Sequence, residues 1–562
     1  MILLFLLCFI SFSRSYQKND IIIAYANKIG PENDPIESYS PDYFFLNQLG
    51  VNRKNSKKSI DDMFFGNNFQ DVGFHMAFQK NYQNHFFTEI TLTSEKIDVL
   101  DRIIRNDYLV QLSIDDLPCW YHIGSFIDGT SQIYQKINFE IHYNNFKIIE
   151  AKASSANLTS LTISSPITMS YSVTWKKTDR KYSDRLQLYS NDEFFKNSIH
   201  KYALINSGLL CFLLILLVAL LFNNIMSRDY NHLAQEAAFD GFEVEINTEK
   251  GWKALHGDVF RPPKHLSFLS MICGSGVHFF IFFILFSVLY SKGNSSPFSF
   301  GLLIYTITAP FSGFAAVTFG RVFEVTKWLR LAFGSAFITP TGYILMLIFR
   351  WLISKGSGLS YSISLYYLII LLFLFIIIIV PLNGLGGYIA IKLKLFEMSK
   401  CEVSLVPRQI TRLPFYLNSL FLEAVTGLVC TSSIIIEVYY MLSGMFHTVG
   451  NYLWSYLVIS LIIFTIVVGC SSILSNYLIL QSENHHWQWP AFIAPASTGF
   501  YVFLYSIYYL ITKTNIHGIS LIILYFVYTS CFSLALALLA GGIGYSACNV
   551  FVHKIFANLK LD

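Results

Sequence analysis

Charge is what this sequence has least of. Only 14% of its 562 residues are Asp, Glu, Lys or Arg, while 53% are hydrophobic and 17% aromatic. Soluble domains carry roughly 25% charged residues, so the deficit argues against a body folded in water. A net charge of +4 is too small to suggest a nucleic-acid partner. Cysteine is present, but not as a framework. Cys8 lies in an apolar leader, Cys401 in a polar loop, and Cys211, Cys273, Cys430, Cys470, Cys531 and Cys548 in apolar runs. Cys119 is left alone in the polar N-terminal region, which excludes a disulfide scaffold there. No Cys/His spacing suits zinc, so no metal or other cofactor is expected. Catalytic signatures are missing too. There is no HExxH, no phosphate-binding Gly-Lys loop, no GxSxG and no paired-acid motif, and the chain does not read as an enzyme.

What is present is apolar run after apolar run from Ala203 to Val552. Nine of them reach the ~20 residues needed to cross a bilayer. They fall at 203–222, 268–290, 299–319, 329–353, 362–384, 416–446, 453–480, 493–512 and 519–552. The last exceeds one crossing, so it tilts or protrudes. Met1 to Ser15 reads as a signal peptide: Ile2 to Phe12 is an apolar core, and Ser13 and Ser15 are the small residues a peptidase requires. The alternative is an extra membrane anchor, for which the run is short.

Residues 16–202 are polar, Asn- and Tyr-rich, and carry strand-like pieces at Ile21–Tyr25, Phe86–Leu92, Tyr108–Ile114, Phe139–Tyr143 and Thr168–Trp175. Asp98–Asn106 reads as a short helix and Asn52–Ser59 as a basic loop. The expected fold class is a polytopic α-helical membrane protein of nine transmembrane helices with an N-terminal β-rich lumenal domain. A cleaved leader puts residues 16–202 in the lumen, and nine crossings put the tail, 553–562, in the cytosol. Charge agrees. The segments expected in the cytosol hold 14 Lys and Arg, whereas the lumenal loops between spans hold Lys292, Lys355 and Lys513. On that sidedness Asn157-Leu158-Thr159 is an acceptor for N-glycosylation.

Several stretches together resemble the nonaspanins, the transmembrane nine superfamily, or EMP70-like proteins. Asn27-Lys28-Ile29-Gly30-Pro31 with Asn33, Pro35, Glu37 and Tyr39 is similar to their N-terminal signature. Asn106-Asp107-Tyr108, Ile114-Asp115-Asp116-Leu117-Pro118 with Trp120 and Gly124, and Tyr171-Ser172-Val173-Thr174-Trp175 with Asp184-Arg185 resemble their lumenal core and the segment before the first span. Gly251-Trp252-Lys253 and His256-Gly257-Asp258-Val259-Phe260-Arg261-Pro262-Pro263 resemble their first cytosolic loop closely. Pro407-Arg408-Gln409-Ile410, Asn418 and Glu437 resemble the surroundings of their sixth span. The likeness spans nearly the whole mature chain. It departs at Glu483-Asn484-His485-His486-Trp487-Gln488-Trp489, which has the tryptophans but not the arginines of that loop, and at Phe44 and Phe45, where a lumenal cysteine is expected.

The resemblance implies a Golgi and endosomal membrane protein that binds client membrane proteins and helps to sort and transport them. The C-terminal Lys560-Leu561-Asp562 resembles a Lys-x-Asp signal read by the COPI coat, which would retrieve the protein. The alternative is a secondary transporter or channel using Glu437, an acid inside the sixth span. Glu437 reads either as a proton- or substrate-linked group or as an acid hydrogen-bonded between helices, and Glu423 is similar. Arg261 reads either as a contact to lipid phosphate or a carboxylate, or as a topological anchor. Gly384, Gly386 and Gly387 after Pro381, and Gly541, Gly542 and Gly544, read either as close helix packing or as a lateral surface for client helices. His485-His486 beside the tryptophans reads as an interfacial belt rather than a metal site. The expected partners are therefore the COPI coat, client membrane proteins and the lipid bilayer.

Overall fold

The computed structural model describes residues 15–31, 37–40, 54–55, 61–62, 66–127, 129–161, 166–182, 185, 197–238, 251–290, 297–323, 325–359, 365–393, 407, 409–410, 414–444, 454–514, 516 and 518–557. The signal peptide, apart from Ser15, and the terminal Lys560 and Asp562 lie outside them.

The N-terminal domain consists of two sheets. Its elements run β1 (Ile21–Pro31), β2 (Lys54–Asn55), β3 (Gln70–Ala77), β4 (Tyr82–Ile90), α1 (Ser94–Arg105), β5 (Tyr108–Ile114), β6 (Leu117–His122), β7 (Gly124–Ile127), β8 (Thr130–Asn144), β9 (Lys147–Ser160) and β10 (Ile167–Lys177). One sheet has the order β2-β3-β1-β5-β6. The other has β4-β10-β8-β7, with β9 also on β8. β3 and β6 alternate buried and exposed positions, as a sheet with one covered face requires. Phe74, Phe78, Phe139, Ile141 and Val173 fill the core between the sheets.

Local chemistry accounts for several of the stretches that resemble the nonaspanins. Asp115 and Asp116 both have positive φ, 51° and 63°, and join β5 to β6 as a two-residue hairpin turn. Turns with two positive φ values favour Asp and Asn because their short polar side chains tolerate that backbone. Asp115 also accepts hydrogen bonds from the Tyr16 hydroxyl at 2.6 Å and from Arg185 at 3.1 Å, so two stretches distant in sequence meet at one carboxylate. Asn27 is buried and knits three segments: its amide donates to Asn67 and Gln111, and its Oδ1 accepts from the Asn68 N–H. At Gly30 a Cβ would collide with the carbonyl of Glu37, so only glycine fits.

The helical part runs α2 (Asn197–Ala238), α3 (Leu266–Tyr290), α4 (Pro297–Arg321), α5 (Trp328–Ser357), α6 (Leu365–Leu374), α7 (Val380–Leu393), α8 (Ser419–Gly444), α9 (Trp454–Gln481), α10 (Gln488–Lys513) and α11 (Ile519–Ala557). A π-turn, Phe375–Ile379, joins α6 to α7 into one apolar segment. Among the described residues eight helices are long and apolar enough to cross a membrane, and α2 adds a shorter apolar stretch, Ile205–Leu220. The architecture is the expected one, a β-rich domain followed by a polytopic helical bundle.

Some elements differ from the sequence reading. Lys54–Asn55, expected in a loop, pairs with Asp71 and Gln70. Helix α1 begins at Ser94 rather than Asp98, because Thr93 is extended and Glu95 occupies the first turn, where an acid is favourable. Pro381 does not break its helix, since the π-turn before it lets the segment continue.

Candidate functional site

Candidate residues gather at the two ends of the bundle. The proximal end faces the N-terminal domain and the distal end lies opposite. At the proximal end Asp61 of the N-terminal domain accepts from the backbone N–H of Phe298 at 2.8 Å and of Ser299 at 3.2 Å. Its other oxygen takes the Ser299 hydroxyl at 2.5 Å. Asp61 thus caps α4 from a separate domain, satisfying N–H groups that a helix start cannot pair itself. Tyr39 forms a β-bridge with Leu359, immediately after Gly358 ends α5 with φ 69°. Lys28 lies near Arg350 of α5. Burial of its ammonium, and then the Arg350 charge, push its pKa down to about 7.

The distal end is built from two loops that are remote in sequence. The first, 251–263, folds as two 3-10 turns, Gly251–Leu255 and Asp258–Phe260. Gly257 and Asp258 begin the second turn. Asp258 is buried and accepts from the Arg261 guanidinium at 2.8 Å. Arg261 itself has an extended backbone, φ −67° and ψ 130°, as the residue before a proline prefers. Pro262 and Pro263 then lead to His265, whose φ is 58°, and α3 starts at Leu266.

The second loop, 482–487, and the first turn of α10 lay an indole each on the first. Trp487 Nε1 donates to the Val259 carbonyl at 2.9 Å, and Trp489 Nε1 to the Lys264 carbonyl at 2.8 Å. The Gln488 amide donates to Val259 at 3.3 Å and to Arg261 at 3.0 Å. Beneath them Trp252, Val259, Phe260, Trp487, Tyr545 and Phe556 form one apolar cluster with the ends of α3, α9, α10 and α11. His485 is buried here. Desolvation lowers its imidazole pKa and His486 adds to that; Asp258 opposes it, while Arg261 lowers it further. Among the described residues no group of three His, Cys, Asp or Glu side chains could hold a metal.

The remaining candidate residues are scattered. Glu437 of α8 is buried and accepts from the Ser460 hydroxyl of α9 at 2.9 Å, as an acid packed between helices does. Asn157 is exposed on β9 with φ 60°, where the strand pairing skips a residue. The glycine runs face inward. A Cβ would meet Pro310 at Gly386, the Phe492 ring at Gly541, Gly276 at Gly542 and Pro495 at Gly544. These positions are spent on the bundle's own packing.

The sequence reading missed Asp61, Arg350 and His278. His278 in α3 lies 3.0 Å from the Thr308 hydroxyl and 3.3 Å from the Tyr305 carbonyl. For Arg350 and His278 a signal existed, because an ionisable residue inside an apolar run is costly and needs a partner. Asp61 carried none: its role depends on which helix start lies above it.

Comparison with known proteins fits this architecture. The family model described as Endomembrane protein 70 matches residues 38–519. Transmembrane 9 superfamily member 3 of Arabidopsis thaliana is 29% identical over 97% of this chain and 95% of its own length. Transmembrane 9 superfamily member 4 of Homo sapiens is 29% identical over 79% of this chain and 71% of its own. No solved structure matches. With a β-rich domain docked on a polytopic bundle and a match that runs through both, this chain belongs to the EMP70 family, the nonaspanins of the transmembrane 9 superfamily.

Proposed function

We propose that this protein is a trafficking factor of Golgi and endosomal membranes that sorts other membrane proteins and is itself retrieved by the COPI coat. The observation that carries the reading is family membership along the chain, joined to the Lys560-Leu561-Asp562 sequence that follows the last helix. In this reading the proximal end is lumenal and the distal end cytosolic. The tail then emerges beside the distal cap, where a coat subunit with acidic and basic pockets can bind one cation and two carboxylates. Clients are bound through the N-terminal domain and the lipid-facing helices, since the glycine runs are already filled. The hydrogen-bonded setting of Glu437 supports this reading over a transporter. The test is localisation of Lys560→Ala and Asp562→Ala in cells. Both are expected to move from Golgi towards later compartments and to lose capture by purified coat subunits. Unchanged location and unchanged capture in both variants would remove the retrieval signal from this account.

A further inference from the structure

Serine and threonine inside apolar helices usually bond to their own backbone a turn earlier, and many here do, although isolated buried hydroxyls such as Ser270, Ser287, Ser312, Ser354 and Ser533 have no partner among the described residues. Thr465 donates to the Leu461 carbonyl at 2.7 Å, Ser471 to Val468 at 3.2 Å and Ser546 to Gly542 at 2.6 Å. Three side chains on α9 do not. Ser472, Ser475 and Asn476 are 1%, 5% and 1% exposed. Ser472 Oγ, Ser475 Oγ and both amide atoms of Asn476 have no hydrogen-bond partner among the described residues. Spaced three and four apart, they share one helix face.

The surroundings of that face are polar backbone and small residues. A Cβ on Gly544 of α11 would lie 2.6 Å from Ser472 Oγ and 3.1 Å from Pro495 Cβ, so Ser472 sits where α9, α10 and α11 converge. Pro495 has no N–H, which leaves the carbonyl of Ala491 without its donor within α10. Trp487 stands at the distal end of this convergence. Its ring stacks on Tyr545, the neighbour of Gly544, at 6.2 Å and 12°, and its indole is held by Val259.

We propose that Ser472, Ser475 and Asn476 form a water-binding site between α9, α10 and α11, lidded from the distal side by Trp487 and the 251–263 loop. The chemistry selects the ligand. The Asn476 amide offers donors at Nδ2 and an acceptor at Oδ1, and each serine offers both. A bare cation would engage only the oxygens and leave Nδ2 idle; an anion would do the reverse. Water satisfies both kinds and makes about three bonds when buried. A hydrated seam also lets these helices part near the distal end without stranding polar groups in lipid. The cap is therefore a lid on a wet site and not just a packed surface.

Two measurements on the full-length protein decide. In detergent, Asn476→Leu removes an amide at nearly constant volume. A dry, unpaired amide is a liability, so its removal would raise the unfolding midpoint; an amide bonded to water is an asset, so its removal lowers it. A drop of roughly 3 °C or more is expected. In sealed vesicles a small water-soluble thiosulfonate is added on the side that carries the C-terminus. Ser475→Cys is expected to react at least tenfold faster than Leu539→Cys, which lies in an apolar cluster of the same bundle, and faster again when combined with Trp487→Ala. A raised midpoint for Asn476→Leu, or equal reactivity of the two cysteines, overturns the site. No acceleration by Trp487→Ala overturns the lid.

Discussion

At the proximal end the N-terminal domain meets the bundle mainly through polar and charged groups, one carboxylate on a helix start, one β-bridge and two cations near each other, with Tyr39 packed on the apolar cluster of Leu359, Leu521, Leu524 and Tyr525. At the distal end the first loop is sealed by aromatic rings, Trp487 buried and Trp489 half-buried, whose N–H groups reach backbone carbonyls. Apolar burial and paired indoles make the distal contact part of the bundle's packed core, above the polar face of α9. A contact made of charge trades protein partners for water at small net gain, so the proximal one can be separated and reformed. The nonaspanin built this way is expected to hold its cap more firmly than its head.

The sharpest way to break that contrast is at Trp487, which is 1% exposed. Trp487→Ala removes the stacking on Tyr545 and the bond to Val259, and is expected to cost about 3–5 kcal/mol. Thermal unfolding in detergent would show it, with protease cleavage rising in the 251–263 loop. The N-terminal domain should keep its own exchange protection. A variant whose cap stays protected would make the two ends alike and end the distinction.

A smaller effect is expected at the other end. Asp61→Ala strips the cap from α4 and should cost about 1–2 kcal/mol, the range for losing an N-cap side chain. The readout is amide exchange at residues 297–301 beside exchange in the distal loop. Faster exchange confined to the proximal end sharpens the comparison. Faster exchange at both ends would mean that the bundle transmits the loss and that the head is not separable.

How far the sequence could anticipate these two ends differs, for a physical reason. The helical bundle is legible because apolar run length is a one-dimensional property that lipid enforces. The strand Tyr108–Ile114 is legible for a similar reason, its alternation being local. Strand β9, Lys147–Ser160, is not, since its second half is Ala, Ser, Asn and Thr but for Leu158, and it is a strand because β8 pairs with it along its length. The cap was half visible. Residues 251–263 and Glu483–Trp489 each carry a signal, but nothing in either stretch says that Trp487 ends on Val259. Contacts between domains are least visible of all: Asp61 is an ordinary acid until Ser299 is beside it.

The smallest expected effect concerns pH, and its sign separates two versions of a less firmly held head. Burial of the Lys28 ammonium, and then the Arg350 charge, depress its pKa to about 7 from the 10.5 of a lysine in water, which is taken as its value once undocked. Between those values the undocked form binds more protons, so docking strengthens as pH rises from about 7 towards 10.5 and loses that strength as pH falls to 7. Below pH 7 both forms are protonated and the dependence flattens. From pH 7.4 to 5.5 docking should weaken by no more than a few-fold, whereas from pH 7 to 9 it should tighten by roughly tenfold or more. Exchange protection of β1 measured across pH 5.5 to 9 would trace this curve, and Lys28→Met should flatten it. The physiological consequence follows from the shape. Acidification alone does not release the head, because Lys28 has already taken up much of its proton near neutrality; it leaves the head loosely seated, and a partner that carries negative charge to the Lys28–Arg350 pair would change its seating more than pH does. A steep loss of protection between pH 6.5 and 5.5 that survives Lys28→Met would place the acid sensor outside the Lys28–Arg350 pair.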